Sequence, residues 1–203
     1  MKLALGLKLF SATVICSVAF AAHADMMWDE ANNGDLSNDG LSPTPLAFTA
    51  GSNSIIGTAG DNGDGIVDRD YFTFTVPTGM RLTSIKLLDN TSVAGGASFI
   101  GLQAGPQMTV SPEGVGAENL LGYMHYSNDD IGTNLLPTIA PLLNSLPGGT
   151  YSAWVQEVDG LATYGFEFGV TPAAPVPLPG AAILLLSGLA GLAPLRGRKK
   201  KAA

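Results

Sequence analysis

At 203 residues, the chain has room for one domain of ordinary size once its two ends are set aside. Its 17 acidic side chains all lie between Asp25 and Glu167, where three cations stand, so this body has a net charge of −14. Such a body repels anionic membranes and excludes nucleic acid as a partner. The single cysteine, Cys16, precedes the body, which therefore has no disulfide and no cysteine nucleophile.

Residues 1–24 have the organisation of a secretory signal peptide. Two lysines precede an apolar run over residues 9–22. The small residues Ala22 and Ala24 occupy positions −3 and −1 relative to the cleavage site, which signal peptidase recognises. We therefore predict cleavage by signal peptidase, with Asp25 as the first residue of the mature protein. The alternative is a short membrane anchor, but the apolar run is shorter than the ~20 residues that span a bilayer.

Residues 25–44 form an acidic segment that is rich in Asn and Gly and has no hydrophobic periodicity. This composition predicts a flexible arm or an edge segment, with Trp28 as its anchor to the domain. Beyond it, short stretches of alternating apolar and polar residues indicate strands with one buried face. A turn is predicted at residues 77–79, and one helical turn within 131–147. The predicted strands cover residues 51–59, 71–76, 81–88, 97–103, 119–127, 150–158 and 163–170.

This spacing of short strands predicts an all-β fold over residues 45–170, an antiparallel β-sandwich of jelly-roll type. Two of its stretches are DRDYFTFTVPTGMRLTSIKL, residues 68–87, and LPGGTYSAWVQE, residues 146–157. They resemble the hairpins of bacterial pre-peptidase C-terminal domains, which are small β-sandwiches appended to secreted enzymes and surface proteins. The resemblance implies a non-catalytic binding or stabilising module.

The loop GDNGDGIVDRD, residues 60–70, is the strongest candidate for a metal site. It carries hard oxygen ligands on a glycine-rich backbone, which suits Ca²⁺. A complete EF-hand is excluded because Gly60 and Tyr71 stand where the first and last carboxylates belong. A different type of calcium loop and a solvated turn remain as alternatives. The candidate ligands are Asp61, Asn62, Asp64, Asp68 and Asp70.

Recognised catalytic motifs are missing from the sequence. It contains no Gly-x-Ser-x-Gly elbow, no HExxH pair and no P-loop, so we predict that the protein is not an enzyme. His125, the one histidine of the body, is predicted to be structural or exposed. A sugar-stacking platform on Tyr123, Tyr126 or Trp28 is a further candidate site.

The chain ends in a linker, an apolar run and a basic cluster. The stretch TPAAPVPLP, residues 171–179, predicts a semi-rigid linker. Residues 180–195 predict a transmembrane helix and residues 196–203 a basic cytoplasmic tail, because Lys and Arg are poorly translocated. The cations of this tail are Arg196, Arg198, Lys199, Lys200 and Lys201.

This C-terminal arrangement resembles the PEP-CTERM sorting signal of exopolysaccharide-producing Gram-negative bacteria. It departs from the usual pattern at Leu178, where that pattern has Glu. The resemblance implies an exosortase as partner, a membrane-embedded cysteine transpeptidase that cuts near the proline motif and releases or transfers the protein. A plain tail anchor is the alternative. The motif consists of Val176, Pro177, Leu178, Pro179 and Gly180.

These patterns together predict an exported, non-catalytic protein of the cell surface or extracellular matrix, associated with exopolysaccharide or biofilm. Its contact with the membrane would be transient, through residues 180–195. A small secreted hydrolase and a plain tail-anchored periplasmic binding module are the two alternatives.

Overall fold

The computed structural model describes residues 24–174, except residues 62, 64, 94–97 and 158. The prediction of an all-β fold is confirmed, because strands dominate this part of the chain and its two α-helices are single turns of four residues each. The elements are β1 (Ala24–Asp29), α1 (Glu30–Asn33), β2 (Thr44–Leu46), β3 (Gly51–Asp61), β4 (Val67–Leu87), β5 (Ser98–Ala104), β6 (Leu120–Tyr126), α2 (Leu136–Ile139), β7 (Leu146–Gln156) and β8 (Leu161–Pro172).

The strands form one sheet in the order β1-β3-β8-β4-β7-β5-β6, with β2 beside β4. The long strand β4 belongs to two halves of this sheet. Its residues 69–76 pair with β7, next to β5 and β6, and we call this the β5 half. Its residues 80–87 pair with β8, next to β3 and β1, and we call this the β8 half. The shared strand therefore connects the two halves.

The two halves pack face to face over an aromatic core. Phe72 and Phe74 of β4 meet Phe168 of β8, at ring-centroid distances of 6.0 and 5.4 Å. These rings are buried because they alternate along their strands with residues that face away from the core. The packing of the two halves gives the fold a sandwich-like form.

The predicted turn at residues 77–79 is wrong, because β4 continues through it. Val76 pairs with Gly149 and Arg81 with Pro147, so four residues of β4 lie opposite one residue of β7. Pro77 has no amide hydrogen for the ladder, and Gly79 has φ +79, a conformation that favours glycine. These residues form an irregular bulge at which the strand passes from the first half into the second.

The acidic segment 25–44 is part of the folded domain. Strand β1 pairs in parallel with β3 at the edge of the β8 half, and Leu36 is buried in the core. The Trp28 indole N–H donates to the carbonyl of Gly34 across the turn, at 2.9 Å. The segment is thus an edge strand and a packed turn rather than a flexible arm. Strand β2 also pairs in parallel, with β4, so the sheet is not purely antiparallel.

Among the described residues, no helix is both long enough and apolar enough to cross a membrane. Several predicted segments fall outside the described residues, namely most of the signal peptide, the sorting motif at 176–180, the helix at 180–195 and the basic tail at 196–203.

Candidate functional site

A row of aromatic side chains crosses the outer face of the β5 half, and we call it the aromatic row. Ring centroids lie 5.8 Å apart between Tyr71 and Trp154, 4.6 Å between Trp154 and Phe99, and 5.7 Å between Phe99 and Tyr123. His125 ends the row, 5.6 Å from Phe99. These residues share one face because they come from four neighbouring strands at matching register positions.

A glycine in the middle of the row explains how the rings come together. Gly101 of β5 lies directly between Tyr123 of β6 and Trp154 of β7. The ring of Phe99 occupies the space above it, where a Cβ at residue 101 would lie 2.9 Å from the Phe99 ring. Any larger residue at position 101 would displace Phe99 and break the row.

The aromatic row opens into a cleft of about 350 Å³. Tyr123 stands at the open side with 55% of its surface exposed, whereas Trp154 at the base is 6% exposed. The indole N–H of Trp154 has no hydrogen-bond partner among the described residues. The remaining lining residues are Val110, Pro112, Gly114, Ala117, Leu120 and Gln156.

A second cavity of about 400 Å³ lies on the other side of Val110 and Pro112. It adds polar groups beside the aromatic row, including Asn38 and Arg69. The Arg69 Nε donates to Oε1 of Gln156 at 2.8 Å, which fixes both side chains on this face. Flat aromatic surface next to fixed amide and guanidinium groups can bind a ligand with apolar faces and a polar edge, such as a sugar ring.

The three residues predicted as a sugar-stacking platform have different positions. Tyr123 lies in the cleft, Tyr126 is buried at 1% exposure, and Trp28 of strand β1 is partly buried against the core. Phe99 and Trp154 were not predicted from the sequence as site residues. Their alternation with the core residues Ile100 and Val155 is the signal that could have placed them on the outer face.

Three carboxylates meet at one end of the core, and we call Glu30, Asp35 and Asp70 the acidic cluster. One carboxylate oxygen of each lies within 4.8 Å of the others. Asp70 has no exposed surface, and its Oδ2 accepts a hydrogen bond of 2.8 Å from the Tyr164 hydroxyl. Its Oδ1 has no hydrogen-bond partner among the described residues.

The surroundings of the cluster are unfavourable to ionised carboxylates. The pKa of Asp70 is raised to about 9, mainly by burial and in addition by the charges of Glu30, Asp68 and Asp35. Burial is also the main cause that raises the pKa of Glu30 and of Asp68. The nearest cation in sequence, Arg69, contacts Gln156 and the Val67 carbonyl instead, because neighbouring residues of a strand face opposite sides.

The described residues among the predicted calcium ligands lie in two different places, the loop and strand β4. Asp61 accepts hydrogen bonds from the amides of Gly63 and Gly65, at 2.7 and 3.3 Å, so its carboxylate closes a turn. Asn62 and Asp64 lie outside the described residues. Asp68 and Asp70 lie on β4 after the loop, and Asp70 joins Glu30 and Asp35, which the sequence analysis did not consider.

No protein-family model matches this chain, and no curated protein matches it.

Proposed function

We propose that this protein is an exported, non-catalytic protein of the bacterial surface or extracellular matrix that binds polysaccharide in its aromatic cleft. We also propose that the strands of its sandwich-like domain are connected as in a jelly roll. The observation that carries the binding proposal is the aromatic row, which presents stacked rings in a cleft of about 350 Å³, with the exposed ring of Tyr123 at its open side. Aromatic residues with a polar group at one end suit a ligand with apolar faces and hydroxyl edges.

The charge of the domain selects among polysaccharides. A body with 17 acidic side chains and three cations repels uronic-acid and sulfated polymers, unless divalent cations screen the charges. The described residues that line the cleft include no carboxylate. Most glycoside hydrolases use a pair of Asp or Glu residues, so this lining favours binding over hydrolysis. Neutral polysaccharide is therefore the ligand class that we propose.

The binding test is native affinity electrophoresis of protein expressed from the full-length chain and purified in mild detergent. The gels contain hydroxyethyl cellulose, galactomannan or alginate, and we expect a neutral polymer to retard the protein. Tyr123→Ala removes the exposed ring. The dissociation constant derived from the retardation should rise about tenfold, which corresponds to ~1.4 kcal/mol of binding free energy. The control is Leu142→Ala, at an apolar side chain that is 95% exposed and outside the cleft.

Two results would reject binding in the cleft. One is a mobility that none of the polymers changes, and the other is equal retardation of Tyr123→Ala and the wild type. If the wild type releases reducing ends from a bound polymer and His125→Ala does not, the small secreted hydrolase would be favoured instead.

The proposal of export and exosortase sorting is supported by the two ends of the sequence. Proline holds the backbone extended, which gives a protease an accessible strand beside the membrane. We expect the mature protein to begin at Asp25 and to end near residues 176–180, as intact mass spectrometry of medium and envelope would show. Replacing both Pro177 and Pro179 by Ala, or deleting residues 196–201, should leave uncut precursor in the membrane fraction. A wild-type mass that extends to Ala203 would favour the tail-anchored periplasmic module.

A further inference from the structure

We propose that the acidic cluster is a Ca²⁺ site that fastens the turn carrying Glu30 and Asp35 to strand β4. This site differs from the loop at residues 60–70, and it does not depend on polysaccharide binding. The turn follows the edge strand β1, and Asp70 lies inside the sandwich, so the ion would join the first residues of the domain to its core.

The three carboxylates are close enough together to share one calcium ion. Ca²⁺ binds oxygen at about 2.3–2.6 Å, so two ligands on opposite sides of the ion lie about 4.6–5.2 Å apart. The three carboxylates already offer oxygens within 4.8 Å of one another. Mg²⁺ usually keeps several of its waters and binds only one or two carboxylates, and Zn²⁺ favours His and Cys, which the cluster does not contain.

Asp70 provides the second observation that points to a ligand. Nearly all buried polar atoms in proteins have hydrogen-bond partners. Asp70 has no exposed surface, yet its Oδ1 has no partner among the described residues. Asp68, two residues earlier on the same side of β4, has a buried Oδ1 that also lacks a hydrogen-bond partner in the described part of the chain. A bound cation would satisfy the Asp70 oxygen and compensate the negative charge of the site.

The other side of the site is held in place before any ion binds. Glu30 accepts hydrogen bonds from the amide of Thr58 at 2.7 Å and from the amide of Leu36 at 3.2 Å. Its carboxylate fits beside β3 because residue 57 is glycine, where a Cβ would lie 2.9 Å from the Glu30 Cδ and would clash with the Tyr164 hydroxyl. A site built from a turn, β3 and β4 has the rigidity that metal binding requires.

The test uses protein expressed from the full-length chain, purified in mild detergent and freed of metal with EDTA. Calcium chloride is titrated by calorimetry, and thermal unfolding is followed with calcium, with magnesium and without either. We expect one equivalent of Ca²⁺ to bind. At a free concentration about one hundred times Kd, the melting temperature should rise by about 5–10 °C. Magnesium at the same concentration should give a smaller rise.

Four variants locate the site. Asp35→Asn changes an exposed residue and Asp70→Asn changes a buried one, and both should lose the calcium response. The matched controls are Asp61→Asn in the loop and Asp129→Asn in a surface turn, and both should keep it. Without calcium, Asp70→Asn should melt above the wild type, because an amide at this position avoids the cost of burying a carboxyl beside other carboxylates.

Three outcomes would overturn the proposal. The first is a wild-type protein whose melting temperature calcium does not change. The second is a calcium response that Asp35→Asn and Asp70→Asn retain. The third is a response that only Asp61→Asn abolishes, which would move the ion to the loop at residues 60–70.

Discussion

Asn53 and Asp70 are two polar residues with no exposed surface, and they differ in how their polar atoms are satisfied. Asn53 on β3 has its Oδ1 bonded to the Thr49 amide, and its Nδ2 donates to the carbonyls of Thr49, Gly51 and Phe168. Asp70 on β4 has one hydrogen-bond partner within the described part of the chain, Tyr164, and lies among other carboxylates. The protein alone satisfies Asn53, whereas Asp70 needs a proton or a cation. This difference separates a structural polar residue from a candidate ligand.

The largest effect that we predict is a loss of stability with rising pH in metal-free protein. The folded state raises the pKa of Asp70 to about 9, so between about pH 4 and pH 9 it binds more protons than the unfolded state. Stability is therefore highest at the acidic end of this range and falls as the pH rises. Between pH 5 and pH 8 the free energy of unfolding should fall by up to about 4 kcal/mol, measured by urea unfolding in EDTA.

The groups around Asp70 act in the same direction, since Glu30 and Asp68 also have raised pKa values and Tyr164 is neutral across this range. Asp70→Asn should flatten the dependence, and Asp129→Asn should leave it unchanged. Stability that rises from pH 5 to pH 8 in EDTA would contradict the assignment of Asp70 as an uncompensated buried carboxyl.

The second prediction concerns the satisfied member of the pair. Asn53→Ala removes the partners of the Thr49 amide and of three carbonyls, so the free energy of unfolding should fall by about 2–3 kcal/mol. Calcium should still raise its melting temperature by as much as in the wild type. The control is Asn119→Ala, at an exposed residue whose side chain makes one bond of 3.3 Å. A loss below about 0.5 kcal/mol for Asn53→Ala would weaken the comparison.

Local sequence pattern predicted the strands but not their long-range pairing. Every predicted strand overlaps an observed one, because alternation reports which face of a strand is buried. The sequence Pro-Thr-Gly at residues 77–79 is equally compatible with a turn and with a bulge, so β4 was divided in two. Asp70 was recognised as a ligand type, but its partners Glu30 and Asp35 reach it through the parallel pairing of β1 with β3. Alternation along one strand contains no information about that pairing.

The third prediction places a methyl group between the two sides of the acidic cluster. Gly57→Ala would bring a Cβ to 2.9 Å from the Glu30 Cδ and against the Tyr164 hydroxyl. We expect a loss of about 2 kcal/mol in stability, typical of overpacking, together with a weaker calcium response. Glu30→Gln in the Gly57→Ala background should lose little more calcium affinity, because the first change already displaces Glu30. Fully additive losses in calorimetry would show that Gly57 acts elsewhere.

The smallest effect is predicted at Trp154, whose indole N–H is the neutral counterpart of the Asp70 oxygen, buried and without a partner among the described residues. An unpaired neutral donor costs less than an unpaired charge, so Trp154→Phe should keep or slightly raise stability while the ring contacts with Phe99 and Tyr71 persist.

If a polysaccharide hydroxyl accepts from the Trp154 indole N–H, Trp154→Phe should bind about two- to tenfold more weakly, which corresponds to ~0.5–1.4 kcal/mol. Tyr71→Phe changes a neighbouring ring by one hydroxyl and is the control in the same affinity gels. Equal affinity of Trp154→Phe and the wild type would mean that the row binds sugar by its ring faces alone, and the parallel with Asp70 would then be limited to burial.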